Sequence, residues 1–345
     1  MEEGKLSWEL LKTIVTKKGS EAVGIIQGPK AGCDVAVFNF HEAKKTAQEF
    51  YNSDEEVLVV YKTDPITFPT PDPGRYAVIV NSNDIVTSGA LPYAFNATII
   101  LPTESTIGTL MKIQDGMDME CRKNKITILG GHTEISSSVN TPIVSGAMIG
   151  FVPKDFYVPR KINVGDVMVC AGWCAKEGVG IIASEGYEKL AENINKRKLK
   201  ALKLLGENIS VINEALWINK KVKPGLMHDA TEGGILGACY ETIAVENFGL
   251  TLSSKEFPLT TETSELFNFL QIDPLKVISS GTLLVVTTEE KANLLIEESS
   301  QMTPIRIIGQ IVDKNEGITL DGKPVDPPGA DAIIEALRKI DEGSN

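Results

Sequence analysis

Hydrophobic residues recur along this chain with two periods, and segments of the two kinds alternate. Helical spacing of apolar positions predicts helices over 7–17, 42–51, 105–123, 176–191, 197–219, 232–247, 289–300 and 331–340. Short apolar runs that end in polar or turn residues predict strands over 34–39, 57–61, 76–81, 95–101, 126–129, 141–151, 166–172, 281–288 and 305–312. Strands interleaved with helices in this way predict a mixed α/β fold.

Four aspartates follow apolar runs of this kind. We expect 76–81 to form a strand that ends at Asn83 and Asp84 and then passes into a short helix. Asp34, Asp64 and Asp229 stand at comparable positions. A carboxylate at such a site faces either the amides of a helix or a cation. We interpret the four as a set that converges on a metal-bound nucleotide.

The length and the turn residues predict two domains. A chain of 345 residues is longer than most single cores. Prolines at 153 and 159 and a glycine at 165 place the expected boundary within 152–165. We therefore expect one domain over 1–155 and a second over 156–345.

Composition limits the classes of binding partner and the cellular compartment that we expect. A net charge of −12 and a pI near 4.9 argue against nucleic acid or an anionic membrane surface as the partner. The first residues lack the features of a secretory signal, and no apolar run approaches a membrane span. Five cysteines with only one close pair fit a reducing compartment. We expect a cytoplasmic protein.

The carboxylates suit magnesium, which is commonly bound through one or two aspartates together with substrate phosphates. The alternative is that Asp64, Asp84 and Asp229 are helix caps or turn residues, and for any one of them alone this alternative is favoured. Their repeated placement after apolar runs favours the metal site.

Glycine pairs and histidines add weaker signals. Gly130–Gly131 and Gly233–Gly234 predict turns where backbone amides could approach phosphate. His132 and His228 each adjoin an acid, so they could be ligands, phosphate donors or acid–base groups, or could merely bond backbone carbonyls. The sequence contains neither a P-loop nor a G-x-G-x-x-G fingerprint.

Taken together and in order, several segments resemble the superfamily of aminoimidazole ribonucleotide synthetase (PurM), selenophosphate synthetase, thiamine monophosphate kinase and the hydrogenase maturation factor HypE, and most resemble HypE and its relatives. The segments are 33–37, 62–64 with 68–69, 77–90, 130–133, 164–166, 227–234, 308–312 and 317–322. The resemblance implies a two-domain α/β chain whose N-terminal domain dimerises by pairing sheets. It also implies ATP near the dimer interface and Mg²⁺ held by aspartates.

The resemblance assigns roles by position. It makes Asp34, Asp64, Asp84 and Asp229 the metal ligands. Together with the acid–base character of His132, this gives Asp84, Asp229 and His132 as the catalytic candidates. The expected nucleotide contacts are Asp34, Thr63, Asp64, Asn83, Gly130, Gly131, Thr231, Gly233 and Gly234.

This chain also departs from the family pattern. Cys33 stands where an acid is usual, His132 where Asp or Glu is usual, and Glu232 where HypE has arginine. HypE ends in a cysteine that carries a carbamoyl group, whereas this sequence ends in 341–345 without cysteine, so we expect it to accept no carbamoyl group.

The function that the resemblance implies is an ATP- and Mg²⁺-dependent enzyme that phosphorylates or activates an oxygen of a small-molecule substrate. Two alternatives stay open. One is a non-catalytic or regulatory nucleotide-binding homologue, and the other is a HypE-like maturation partner of another protein.

Overall fold

The computed structural model describes residues 2–67, 70–299 and 303–342. Its contacts divide the chain into two compact units, Met1–Tyr157 and Val158–Asn345. The predicted mixed α/β fold is confirmed in both units. Phe68 and Pro69, which belong to one of the segments behind the family resemblance, lie outside the described residues. Among the helices described, none combines the length and the apolar character needed to cross a membrane.

The first unit combines short and long strands with helices. Its strands are β1 (Gly4–Lys5), β2 (Ile25–Gln27), β3 (Val37–Phe38), β4 (Val57–Ile66), β5 (Leu91–Leu101), β6 (Thr127–Ile135) and β7 (Ile143–Pro153). Its helices are α1 (Trp8–Ile14), α2 (Phe40–Tyr51), α3 (Pro73–Thr87) and α4 (Ile107–Lys123). The predicted helices over 7–17, 42–51 and 105–123 are therefore confirmed.

Five strands of the first unit form one sheet in the order β1-β6-β5-β7-β4, and β2 pairs with β3. β4 and β7 are antiparallel over their full lengths, whereas β5 and β6 are parallel. Helix α3 packs on β4 and β7 and also against α4. On the opposite face, Ala43 and Ala47 of α2 pack with Tyr93 and Phe151, so helices cover both sides of this part of the sheet.

The expectation of a strand over 76–81 was wrong, because these residues lie within helix α3. Asp72 caps the helix by accepting a hydrogen bond from the Arg75 amide at 3.1 Å, and Pro73 occupies the first turn, where proline needs no amide partner. The helix is buried between the sheet and α4, so apolar residues occur on nearly all its sides. That pattern hides the helical period and resembles a buried strand.

The expected turn at Gly130–Gly131 was also wrong, because both glycines lie inside β6. The pairing with β5 shifts register between Phe95 and Asn96, next to the glycines. A Cβ on Gly131 would fall 2.2 Å from the carbonyl oxygen of Ala97 on β5. These glycines therefore permit close strand packing at an irregular point of the ladder.

The second unit contains a seven-stranded sheet in the order β14-β13-β10-β12-β8-β11-β9. The strands are β8 (Val167–Ala171), β9 (Leu226–Ala230), β10 (Gly249–Leu252), β11 (Thr282–Thr287), β12 (Ile305–Val312), β13 (Ile318–Leu320) and β14 (Lys323–Pro324). The helices are α5 (Lys176–Glu185), α6 (Tyr187–Leu190), α7 (Lys196–Gly206), α8 (Ile212–Val222), α9 (Gly234–Val245), α10 (Thr261–Leu270), α11 (Glu289–Glu298) and α12 (Ile333–Glu342).

Two apolar cores support the second unit. One packs α9 on the sheet through Ile235, Cys239 and Ile243. The other joins α5, α7, α10 and α12 through residues such as Val179, Leu199, Leu266 and Ile340. The second core places α5, α6 and α7 side by side at one surface of this unit.

Candidate functional site

Two of the four aspartates meet in the first unit around a lysine. The ammonium of Lys62 lies 2.8 Å from an Asp84 carboxylate oxygen and 3.3 Å from one of Asp64. Lys62 and Asp64 are two residues apart in β4, so they project from the same face of the sheet, and Asp84 reaches them from α3. The fold thus places a cationic group between two carboxylates.

The side chains of Lys62, Asp64 and Asp84, which we call the first-unit triad, are partly buried. Each of the three side chains keeps about a third or more of its surface exposed, Asp84 the least at 33%. Burial works against the charge of Lys62, but the hydrogen bond and attraction of Asp84, together with Asp64, prevail and raise its pKa. Burial raises the pKa of Asp84 and outweighs the hydrogen bond from Lys62. A cation between these carboxylates is therefore favoured.

Asn81 supports the triad from the same helix. Its amide nitrogen donates to the Asp64 carbonyl oxygen at 3.1 Å and to the Ala77 carbonyl oxygen at 2.8 Å. Its side-chain oxygen is buried and accepts no hydrogen bond from the described residues. Asn81 therefore links the main chain of β4 to α3, the two elements that carry Asp64 and Asp84.

The other first-unit candidates lie apart from the triad or face elsewhere. Asp34 is exposed on the loop between β2 and β3. Thr63 points to the opposite face of β4 and donates to the Gly146 carbonyl oxygen at 2.7 Å. Asn83 is fully buried within α3. His132 is exposed on β6, where a ring nitrogen lies 3.3 Å from a Glu134 carboxylate oxygen.

In the second unit, Asp229 is buried in β9, and the loop after it leads into α9. The Thr231 carbonyl oxygen accepts from the amides of Gly234 and Ser279, which holds this loop in a tight bend. The Gly233 amide donates to an Asp331 carboxylate oxygen at 2.8 Å. A carboxylate of the chain itself thus stands at the N-terminal end of α9, where anions bind favourably.

Burial changes the pKa values of two second-unit groups, Glu177 and His228, in opposite directions. Glu177 is 9% exposed, and burial, assisted by repulsion from Asp331 and Glu232, raises its pKa to about 7 against a hydrogen bond from Ser280. One Glu177 carboxylate oxygen accepts no hydrogen bond from the described residues. Burial and the positive charge of Arg160 lower the pKa of His228 to about 4, so His228 is neutral at pH 7.

Four of the five cysteines are buried, and Cys33 is exposed. The sulfur atoms of Cys170 and Cys174 lie 3.8 Å apart. Burial raises the pKa values of Cys121, Cys174 and Cys239 well above their ordinary value, which keeps these thiols protonated.

Family models match both parts of the sequence. The model described as AIR synthase related protein, N-terminal domain, matches residues 45–152, and its C-terminal counterpart matches residues 163–321. The chain belongs to the AIR synthase-related family. The predicted family resemblance is confirmed.

Individual proteins of known name are also similar to this family member. A Methanocaldococcus jannaschii protein whose name assigns it to hydrogenase expression and formation is 29% identical over 279 residues, 78% of this chain and 80% of that protein. Carbamoyl dehydratase HypE of Escherichia coli strain K12 is 25% identical over 274 residues, 76% of each chain.

Solved structures share the AIR synthase-related fold. HypE of E. coli superposes with a TM-score of 0.75 at 18% identity, over 93% of this chain and 96% of that one. Thiamine-monophosphate kinase of Stenotrophomonas maltophilia gives 0.72 at 18% identity, over 93% and 98%. A HypE crystallised in complex with ATP gives 0.61 at 17% identity, over 82% and 92%. The two-domain PurM-like fold implied by the sequence is confirmed.

The first-unit carboxylates suit a Mg²⁺ ion whose remaining ligands come from the phosphates of a bound nucleotide. Within residues 2–67, 70–299 and 303–342, no group of three or more His, Cys, Asp or Glu side chains could hold a metal ion. Mg²⁺ is commonly bound by one or two carboxylates when phosphate oxygens complete its coordination shell. Asp64 and Asp84, which already share one cationic group, provide two carboxylates. Asp64 and Asp84 are the donors that this AIR synthase-related protein offers.

Sequence reasoning left Lys62, Asn81 and Glu177 out of the predicted site. The spacing of Lys62 and Asp64, two residues apart in a predicted strand, could have placed them on one face. Asn81 lies within the segment 76–81 that was misread as a strand. No sequence signal marks Glu177, because its proton affinity depends on what the fold packs around it.

Proposed function

We propose that this AIR synthase-related protein is an ATP- and Mg²⁺-dependent enzyme that phosphorylates or activates an oxygen of a small-molecule substrate. The observation that carries the proposal is the pair of carboxylates, Asp64 and Asp84, fixed on two elements around one cationic group. An acidic chain that lacks a P-loop needs such a site, because a polyphosphate is repelled by its average charge of −12.

We assign a different role in nucleotide binding to each residue of the first-unit triad. Asp64 and Asp84 would hold Mg²⁺, which supplies neutralisation of the phosphate charge when bound. Lys62 balances the two carboxylates and would supply a cation for a phosphate oxygen beside them. Asn81 keeps the strand and the helix in register.

The relatives support ATP chemistry, but their names give different substrates. One is named a carbamoyl dehydratase, one a thiamine-monophosphate kinase, and one HypE was crystallised with ATP. We further propose that Asp34, His132 and the strand glycines contribute to the nucleotide site of the first unit. Within the second unit, we propose Asp229, Thr231 and the Gly233–Gly234 loop as phosphate or metal contacts. For the loop to bind a phosphate, Asp331 would have to release the Gly233 amide.

The decisive measurement is calorimetric titration of ATP into the protein with and without Mg²⁺. We expect binding that requires Mg²⁺, and we expect Asp84→Asn to weaken it about tenfold or more while the circular dichroism spectrum is unchanged. The reason is that the variant loses one of two carboxylate donors and keeps its shape.

Asp115→Asn is the matched control, because Asp115 also pairs with a lysine of the first unit, Lys17 at 2.7 Å, but lies on α4. It should bind ATP like the wild type. An absence of ATP binding with and without Mg²⁺ would refute the proposal. Binding by Asp84→Asn at wild-type strength would reduce Asp84 to a structural residue, and binding without turnover on any metabolite would favour the regulatory alternative.

A further inference from the structure

A groove on the second unit is lined mainly by basic side chains. It measures about 400 Å³ and lies between the end of α5, the start of α6 and most of the length of α7. Its lining consists of Ala183, Ser184, Tyr187, Lys196, Arg197, Lys200 and Lys203. Four of these seven side chains are cationic and none is acidic, and the surface that they present to the groove is mostly apolar.

Three cations of α7 stand in its first turn, where the helix dipole disfavours positive charge, whereas Lys203 stands in its last turn. Residues 196–203 contain five basic residues and no acidic one, in a chain whose net charge is −12. Lys196, Arg197 and Lys198 occupy the first turn of α7, at the positive end of the helix dipole, and no acid shares that turn. Lys196 and Lys200 are also four residues apart, a spacing at which like charges repel.

The positive charges that line the groove are not neutralised by acidic side chains of the described residues. Lys198, which does not line it, forms an ion pair with Glu265. Within the described part of the chain, no such pair is formed by the four lining cations, Lys196, Arg197, Lys200 and Lys203. Unfavourable charge that no internal partner offsets favours an external anion as the partner.

The size and lining favour a small anion over a protein surface. A volume of about 400 Å³ falls in the range of small-molecule sites, and the groove is open to solvent. The planar guanidinium of Arg197 and the lysine ammonium groups match phosphate oxygens. The half-buried ring of Tyr187 and the methylene groups of the lysines offer an apolar surface for the remainder of a ligand.

We propose that this groove, formed by α5, α6 and α7, is a binding site for a phosphorylated small molecule. The site lies within the second unit and shares no residue with the Asp64–Asp84 site. Its test uses neither nucleotide nor Mg²⁺, so its outcome is independent of the proposed ATP-dependent activity.

The test is calorimetric titration of inorganic tripolyphosphate into the full chain in magnesium-free buffer of low ionic strength. We expect one site per chain, with an affinity that falls as salt is added because the contacts are exposed charges. The double variant Arg197→Gln with Lys200→Gln should bind about tenfold more weakly or worse. Glutamine preserves helix propensity, and Lys203→Gln alone is a milder variant of the same groove.

The matched control is Lys314→Gln with Lys323→Gln, which removes the same charge from two exposed positions of the same unit. It should bind tripolyphosphate like the wild type. The proposal is overturned if tripolyphosphate does not bind, if the control pair weakens binding equally, or if Lys62→Gln abolishes the binding and the groove variants do not. Binding of a decaglutamate peptide without binding of tripolyphosphate would assign the groove to an acidic protein segment and equally overturn it.

Discussion

Glu177 illustrates how packing changes the chemistry of a single residue. Its carboxyl group is enclosed in the second unit near two other acids, and its pKa is raised to about 7 from 4.5. The folded state therefore holds the proton more tightly than the unfolded chain does. The resulting stabilisation is complete below pH 4.5 and is lost as the pH rises through about 7.

Replacing Glu177 by Gln should remove this pH dependence. From pH 5 to pH 8, the free energy of unfolding of the wild type should fall relative to that of the variant, by up to about 3 kcal/mol for a shift of this size. Urea unfolding followed by tryptophan fluorescence at several pH values measures the difference, because Trp173 and Trp217 both lie in the second unit.

Glu188→Gln, at an exposed position on α6, controls for the loss of one negative charge. Parallel curves for wild type and Glu177→Gln would show that Glu177 does not titrate in this range.

His228 affects the pH dependence of stability in the opposite sense, because its lowered pKa gives stability that is present above pH 6.5 and lost as the pH falls toward about 4.

At the scale of elements, the packing of α3 on α4 positions Asp84. A Cβ on Gly74, in the first turn of α3, would lie 2.0 Å from the Ile113 carbonyl oxygen of α4. Since that atom belongs to the backbone of a buried helix, the two helices would have to separate. Since α3 also packs on β4, we expect such a separation to change the distance between Asp84 and Lys62.

Gly74→Ala should therefore lower the free energy of unfolding by about 1–3 kcal/mol, the usual cost of overpacking, and weaken ATP binding as well. Thermal unfolding and the ATP titration measure the two effects. Gly108→Ala, on α4 where the nearest atom is the Thr106 hydroxyl at 3.4 Å, should leave stability unchanged or raise it by up to about 1 kcal/mol. Equal behaviour of the two variants would contradict the role of the contact.

At the scale of the whole molecule, we propose a homodimer formed through the first-unit sheet. The face opposite α3 carries Tyr61, which is 65% exposed, and Val59, which is 55% exposed, on β4. β4 is an edge strand of the sheet, so within the described part of the chain its outer side faces no other strand. An apolar face beside an open edge is a surface that a two-fold symmetric partner can cover.

Sedimentation should find a dimer at micromolar concentration, and Tyr61→Asp should raise its dissociation constant about tenfold or more, because a charge would be buried in an apolar interface. Val245→Asp places the same charge on an exposed apolar position of the second unit and should leave the dimer intact. A wild-type monomer under these conditions would exclude the dimer.

The sequence alone determined the elements whose pattern is local. The amphipathic period of α4 and the apolar run of β4 are visible because each has one face toward a core and one toward solvent. Family motifs added the two-domain fold and pointed to Asp64 and Asp84, since those signals lie in short contiguous segments.

Only the tertiary structure decided which residues meet and in what state. Helix α3 is apolar on nearly all sides because it is buried between a sheet and another helix, and its secondary structure cannot be read from its period. Lys62 reaches Asp84 across 22 positions of sequence, and Asp331 reaches the Gly233 amide across 98. The pKa of Glu177 likewise depends on what surrounds its carboxyl group. Long-range contacts and burial are properties of the folded chain, and they set the charge balance on which the proposed chemistry depends.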